Sequence, residues 1–256
     1  MIKHKIGLGV MILMGASACL SASVFAAPLQ ILDFKKGQLT QAEQKQLCLQ
    51  VKALCENQAK WQSLKTPDQT LWVLSERNIV QFAPSATGFK LLTQWQINLT
   101  PSEEMARSSQ YIFPKLFPMQ QNRYAIVVID SSSEMYSGGG ANIERASFYE
   151  LQANGNTRAF IQNYPFSFSR MVRACFSEQD YATSKGNCHD EDGLSLDIRP
   201  IKPMLWQFRY RYRLDVSPAS DSGERSYKGG RDLNIDLNKA PKQPIIPEQW
   251  NYTGQG

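Results

Sequence analysis

Within Leu205 to Val216 the chain alternates strictly from Trp206 onward. Phe208, Tyr210, Tyr212, Leu214 and Val216 fall on one side, and Gln207, Arg209, Arg211, Arg213 and Asp215 on the other. A period of two is that of a strand with one buried and one solvated face. Asp232 to Asn238 repeats it, with Leu233, Ile235 and Leu237 opposing Asp232, Asn234, Asp236 and Asn238. Two such segments joined by the polar stretch from Ser217 to Arg231 predict a long-looped antiparallel hairpin.

Shorter pieces upstream carry the same signal. Leu71–Leu74, Ile79–Phe82 and Phe89–Leu99 read as strands, and Pro114 makes Tyr111–Phe117 an edge strand or extended segment. Tyr124–Ile129 is the most apolar run after the N-terminal segment, and its β-branched content predicts a strand buried on both faces. It is expected to enter a Ser- and Gly-rich loop from Ser131 to Gly140. Asn154-Gly155-Asn156 marks a hairpin between Phe148–Leu151 and Arg158–Ile161. Phe166–Phe176 and Leu194–Ile198 add two more strands. About ten short strands separated by turn signals predict a mostly β fold, an antiparallel sandwich or barrel-like domain. A small β-propeller is the alternative, although no repeat of fixed period supports it. Helical signals are few. Thr40 and Glu43 form a capping box ahead of a short N-terminal helix, and Thr100-Pro101-Ser102-Glu103-Glu104 opens another expected to run to about Ser108.

The first 26 residues have the order of a secretory signal: Lys3 and Lys5, an apolar run from Ile6 to about Leu20, and small residues ending at Ala26. Cleavage there leaves residues 27–238 as one β-rich domain and 239–256 as an extended tail, in which Pro241, Pro244 and Pro247 recur at the polyproline II period. The expected location is exported, in the periplasm or outside the cell. A lipoprotein anchored at Cys19 is the lesser alternative, because Ala16 stands where lipid-attachment signals usually carry Leu. No later segment is long and apolar enough to span a membrane as a helix. Loss of Lys3 and Lys5 reduces 28 basic residues against 23 acidic ones to a net charge of +3, too mild for a nucleic-acid partner.

Four cysteines remain after the signal, and an even number in an exported chain predicts two disulfides. Cys175 and Cys188 flank a polar loop, and closing a loop of about 14 residues contributes roughly 3 kcal/mol in the chain-entropy model. Cys48 and Cys55 share a helical stripe with Leu47, Val51 and Leu54. On an unbroken helix they lie about 10.5 Å apart, beyond the roughly 7 Å limit for a bridge. Two local bridges therefore require a break between Leu49 and Ala53.

The unusual chemistry collects between Pro165 and Gly193. His189, the one histidine after the signal, adjoins Asp190, Glu191 and Asp192, and such a group suits a metal or general acid–base work. The spacing completes no calcium loop: Cys188 takes the first ligand position and Arg199 the last. A single histidine rules out three-histidine zinc and HExxH sites, and no GxSxG elbow or SxxK pair is present. Neither a metal nor a cofactor is called for. Gly139 and Gly140 offer backbone N–H groups to an anion or mark a close backbone approach. Arg209, Arg211 and Arg213 form a basic stripe that either reads an acidic partner or pairs with Asp232 and Asp236 across the hairpin. These features favour a non-catalytic binding protein, of inhibitor or immunity type, that recognises an envelope protein or polymer. A carboxylate-dependent envelope hydrolase and an envelope assembly factor are the alternatives.

Overall fold

In the computed structural model, which describes residues 29–100, 107–239 and 246–250, the alternating segments build two antiparallel sheets. β1 (Leu32–Asp33), β2 (Lys35–Lys36) and α1 (Gln41–Gln50) lead into a 3-10 helix, Lys52–Lys60. There follow β3 (Gln62–Lys65), β4 (Leu71–Leu74), β5 (Asn78–Ser85) and β6 (Gly88–Gln96), which with β2 form a five-stranded sheet in chain order. Next come β7 (Arg107–Ile112), β8 (Lys115–Gln120), β9 (Arg123–Tyr136), β10 (Gly139–Leu151) and β11 (Thr157–Arg173). After α2 (Glu178–Ser184) come β12 (His189–Lys202), β13 (Leu205–Asp215), β14 (Tyr227–Asp236) and a 3-10 turn, Glu248–Trp250. The larger sheet runs from β1 through β8 to β14 with β7 also paired to β9, and it does not close into a barrel.

α1 begins as its capping box requires. Thr40 Oγ1 accepts the Glu43 N–H at 3.3 Å, and the Glu43 carboxylate accepts the Thr40 N–H at 2.8 Å. Its face bearing Leu47 joins Val51, Leu54 and Trp61 over Leu71, Val73, Val80 and Phe82 of the smaller sheet. Gln50 lies along the outer edge of β6, donating to the Phe89 carbonyl at 2.7 Å and accepting the Leu91 N–H at 2.8 Å.

The other face of the smaller sheet, with Trp72, Ile79 and Trp95, packs on Ile112, Leu116, Ile126 and Val128 of the larger one. Ala125, Val127 and Ile129 point the opposite way into the main core with Phe148, Trp206, Phe208 and Tyr210. The first half of β9 is thus buried on both faces, as its composition predicts. β9 and β10 pair over a long antiparallel register, from Gly139↔Tyr136 to Glu150↔Ala125. Along such a ribbon the right-handed twist accumulates. The side that carries Val127 and Ile129 in the core carries the partly exposed Ser131 and Ser133 further along, and ends at the exposed Met135. β11 is bulged against β10 on either side of Ala146, which bends it across the main core.

Several expectations are corrected. The Ser131–Gly140 loop is the second half of β9 and the start of β10, joined by a turn at Ser137 and Gly138. Ser and Gly suggest a loop, but here they let strands approach closely: a Cβ on Gly139 would stand 1.8 Å from the Met171 carbonyl oxygen. His189–Gly193, the acidic run, is the opening of strand β12. α2 occupies part of the stretch between Cys175 and Cys188 and is capped by Ser177, whose hydroxyl accepts the Asp180 N–H at 3.2 Å. Arg107 and Ser108, expected to close a helix, begin β7. The expectations for Cys19, for cleavage at Ala26, for Pro101–Glu104 and for Pro241 and Pro244 lie outside the described residues.

Cys175 and Cys188 are bonded, with an S–S distance of 2.08 Å. The second expected bridge is not formed, and Cys48 and Cys55 are thiols. The required break is present: α1 stops at Gln50, and Val51 is extended at φ −133° and ψ 94°. It turns the Cys55 thiol onto the Cys48 carbonyl oxygen at 3.4 Å, while Cys48 Sγ accepts the Gln58 side-chain amide at 3.0 Å. Each sulfur thus faces a polar group other than its intended partner.

Candidate functional site

Above the bulge of β11, paired residues form rows across the larger sheet. One row is Asn142, Ser169, Gly193, Arg213 and Lys228; its neighbours on the same face are Gly140, Met171, Glu191 and Asp215, and Glu144, Ser167, Ser195, Arg211 and Gly230. The intervening row of Ile143, Phe168, Leu194 and Tyr212 points into the main core. In β11 and β12 the outward Ser167, Ser169, Gly193 and Ser195 are small, while the inward Phe168 and Leu194 are large and apolar. Over this floor the sheet curves into a trough of about 890 Å³, lined only by residues of β9 to β14. That volume falls within the range of small-molecule pockets, about 300 to 1,000 Å³.

The trough gathers most of the residues singled out from the sequence. Gly139, Gly140, Glu191, Asp192, Arg211 and Arg213 all line it, whereas His189, Asp190 and Arg209 do not. Strand alternation divides the acidic run. Asp190 and Asp192 share the face opposite Glu191. Asp190 accepts the Ser217 N–H at 2.8 Å and the Ser220 hydroxyl at 2.6 Å, pinning the loop after β13. Asp192 is buried beneath Arg170, which donates at 2.8 and 3.2 Å, and the Tyr212 hydroxyl at 3.2 Å. Burial, and secondarily the Asp192 charge, push the Tyr212 phenol well above its ordinary range. Asp190 and Asp192 are therefore committed to structure. Glu191 is exposed and makes no ion pair among the described residues.

The basic stripe is largely neutralised. Arg211 donates to Asp232 at 2.7 Å, Arg209 lies 3.6 Å from both Asp197 and Asp232, and Arg213 pairs with Asp215. The hydrogen bond from Arg211, with the charges of Arg211 and Arg209, holds the Asp232 carboxyl below its ordinary value despite a small opposing effect of burial. Asp236, the other expected partner, pairs with Lys239 at 3.6 Å. Lys228 lines the far wall of the trough and makes no ion pair among the described residues.

At the opposite end is an apolar lip that the sequence reading missed. Met135 and Met171 line the trough with 77% and 40% of their surface exposed. Tyr136 and Val172, one position on in the same strands, are exposed on the opposite face, and Phe176 follows β11 with 76% exposed. Tyr136 donates to the Met171 carbonyl at 3.1 Å, and Arg173 stacks over Phe176 at 5.3 Å, so the lip is braced. The missed signal was the alternation itself: Ser167, Ser169 and Met171, and Glu191, Gly193 and Ser195, sit at every second position beside a buried row. Among the described residues no three His, Cys, Asp or Glu side chains are grouped to hold a metal.

No family model, curated protein or solved structure matches the chain.

Proposed function

We propose that this chain is an exported, non-catalytic binding protein that seats its ligand in the trough of the larger sheet. The observation behind the reading is the trough itself: a small-residue floor backed by a packed core, with exposed Met135 and Met171 at one end and Lys228 at the other. Large apolar side chains left in solvent around a concavity mark binding surfaces. The Cys175–Cys188 disulfide ties the ends of the β11–β12 connection, and a bond of this kind suits an oxidising compartment.

One observation supports the hydrolase alternative. Glu191 and Asp215 are directly opposed across β12 and β13, so their Cβ atoms stand about 5 Å apart. Asp215 is tied to Arg213, however, which leaves Glu191 as the one acid of the pair without an ion-pair partner among the described residues. That set supports binding better than acid–base turnover.

The test is a plug. Ser169→Trp and Ser195→Trp place an indole in the trough from exposed positions, so they should leave the melting temperature near that of the parent. Retention of the tagged protein by isolated envelope fractions should be lost. Retention equal to the parent in both variants overturns the trough as the seat. Turnover of cell-wall material abolished by Glu191→Gln would transfer the site to the hydrolase reading.

A further inference from the structure

We infer that the ligand is an amphiphile, with a long apolar chain lying along the trough from the lip and an anionic head group set against Lys228; this rests on the trough being the binding seat. Three observations converge. First, the walls are mostly carbon: the methionine side chains of Met135 and Met171, the alkyl stems of Arg211, Arg213 and Lys228, and a floor of glycine, alanine and serine. Ligands that match such a surface bury methylene groups, whose removal from water drives the association. A glycan would instead ask for an exposed aromatic platform, and the aromatic residues that line the trough, Phe168 and Tyr212, are buried in the main core.

Second, the apolar and charged ends are separate. Met135 and Met171 stand on β9 and β11, while Lys228 is on β14, three strands beyond β11. At about 4.8 Å per strand, Met171 and Lys228 are roughly 14 Å apart across the sheet, and the trough continues past Met171 to Met135. Methionine is the side chain best suited to an occupant of variable shape, because it is unbranched and polarizable.

Third, the charges select the head. Arg211 and Arg213 are held by Asp232 and Asp215, but Lys228 faces the trough with no ion pair among the described residues, which leaves an ammonium to meet a carboxylate or a phosphate. Glu191, on the lip side of Arg213, opposes an anion at that end and so fixes the orientation, tail to the lip and head to β14.

Two experiments test the inference and keep its failure distinct from that of the binding reading. In the first, dansyl-labelled undecanoic acid is titrated into the purified protein. Saturable binding is expected, weakened about tenfold by Met135→Glu at its exposed position. Lys228→Glu should weaken the acid but not its uncharged methyl ester. Absence of saturable binding, indifference to Met135→Glu, or equal effects of Lys228→Glu on acid and ester overturns the amphiphile. In the second, a photo-crosslinking side chain replaces Ser169 or Ser195 in the exported protein within cells. A lipid adduct supports the inference. A protein or glycan adduct overturns it while leaving the trough as the seat, and no adduct at either position overturns both.

Discussion

Trp250 lies flat on Tyr212, with ring centroids 5.5 Å apart and planes inclined by 6°. Its indole N–H donates to the Tyr227 hydroxyl at 3.0 Å, and its ring covers Gly229 so closely that a Cβ there would stand 2.3 Å from Cζ2. Trp250 thus lies on the core side of β13 and β14, beneath the strands that floor the trough on their other face. Replacement Trp250→Ala should cost about 3 to 5 kcal/mol, as for other buried aromatic truncations. Gly229→Ala should destabilise the parent and do so less in the Trp250→Ala background. A thermal or denaturant double-mutant cycle checks this, and additive effects would mean that ring and glycine do not constrain each other.

The cysteines should divide by reactivity. Alkylation of the native oxidised protein should label Cys48 and Cys55 and spare Cys175 and Cys188, read by intact mass and peptide mapping. A mature chain that takes no label would restore the two-bridge arrangement. Cys175→Ser should lower stability by about 2 to 5 kcal/mol.

Glu150 is buried between two arginines. Arg123 donates to it at 2.8 Å and Arg158 at 3.0 and 2.7 Å. Burial alone would raise its pKa, but the hydrogen bonds from Arg158 and then Arg123 outweigh that and hold it below the ordinary 4.5. A depressed folded-state value means that its contribution is present above the unfolded value and is lost as pH falls through the folded one. Because both arginines remain in contact with water, Glu150→Gln should cost about 1 to 3 kcal/mol at neutral pH, with the difference from the parent shrinking below pH 4.5. Denaturant midpoints measured across that range check it, and a gap that widens in acid would contradict the assignment.

Asp232 should titrate below its ordinary 3.8, because Arg211 hydrogen-bonds its carboxylate. In Arg211→Gln the carboxyl resonance should shift its midpoint upward, and a double-mutant cycle between the two should show coupling at neutral pH that fades in acid. An unchanged midpoint, with lost binding in Arg211→Ala, would assign the stripe to the ligand instead.

The fold class was legible because alternation survives in Leu205–Val216 and Leu233–Leu237, whose apolar faces pack as the period requires. The central strand was legible from Ala125 to Ile129, where both faces are buried. What misled was residue chemistry that serves loops and close strand contacts alike. Ser131–Ser133 and Gly139–Gly140 resemble a loop when read by composition, yet they lie in paired strand because their neighbours approach to backbone distance. Asp190 and Asp192 resemble a solvated surface run, but Ser217, Ser220, Arg170 and Tyr212 satisfy them within the fold. Of the residues singled out for charge or for glycine, Gly139, Gly140, Glu191, Asp192, Arg211 and Arg213 line the trough and His189, Asp190 and Arg209 do not. Met135, Met171 and Lys228 were not singled out, since a lone methionine or lysine has no local pattern to mark it and only strand register brings them together. The cysteines show the same limit: a helix break was foreseeable from spacing, but the direction in which each sulfur leaves it was not.

The carboxamide of Gln50 acts on β6 as the N–H and C=O of one residue of a missing sixth strand would, donating to the Phe89 carbonyl and accepting the Leu91 N–H. An open strand edge is a template for other chains, and proteins protect it by covering or interrupting it. Here one side chain from a helix terminates the ladder at mid-strand. Pairing of a foreign strand along this stretch of β6 therefore has to displace the two hydrogen bonds that α1 makes through Gln50.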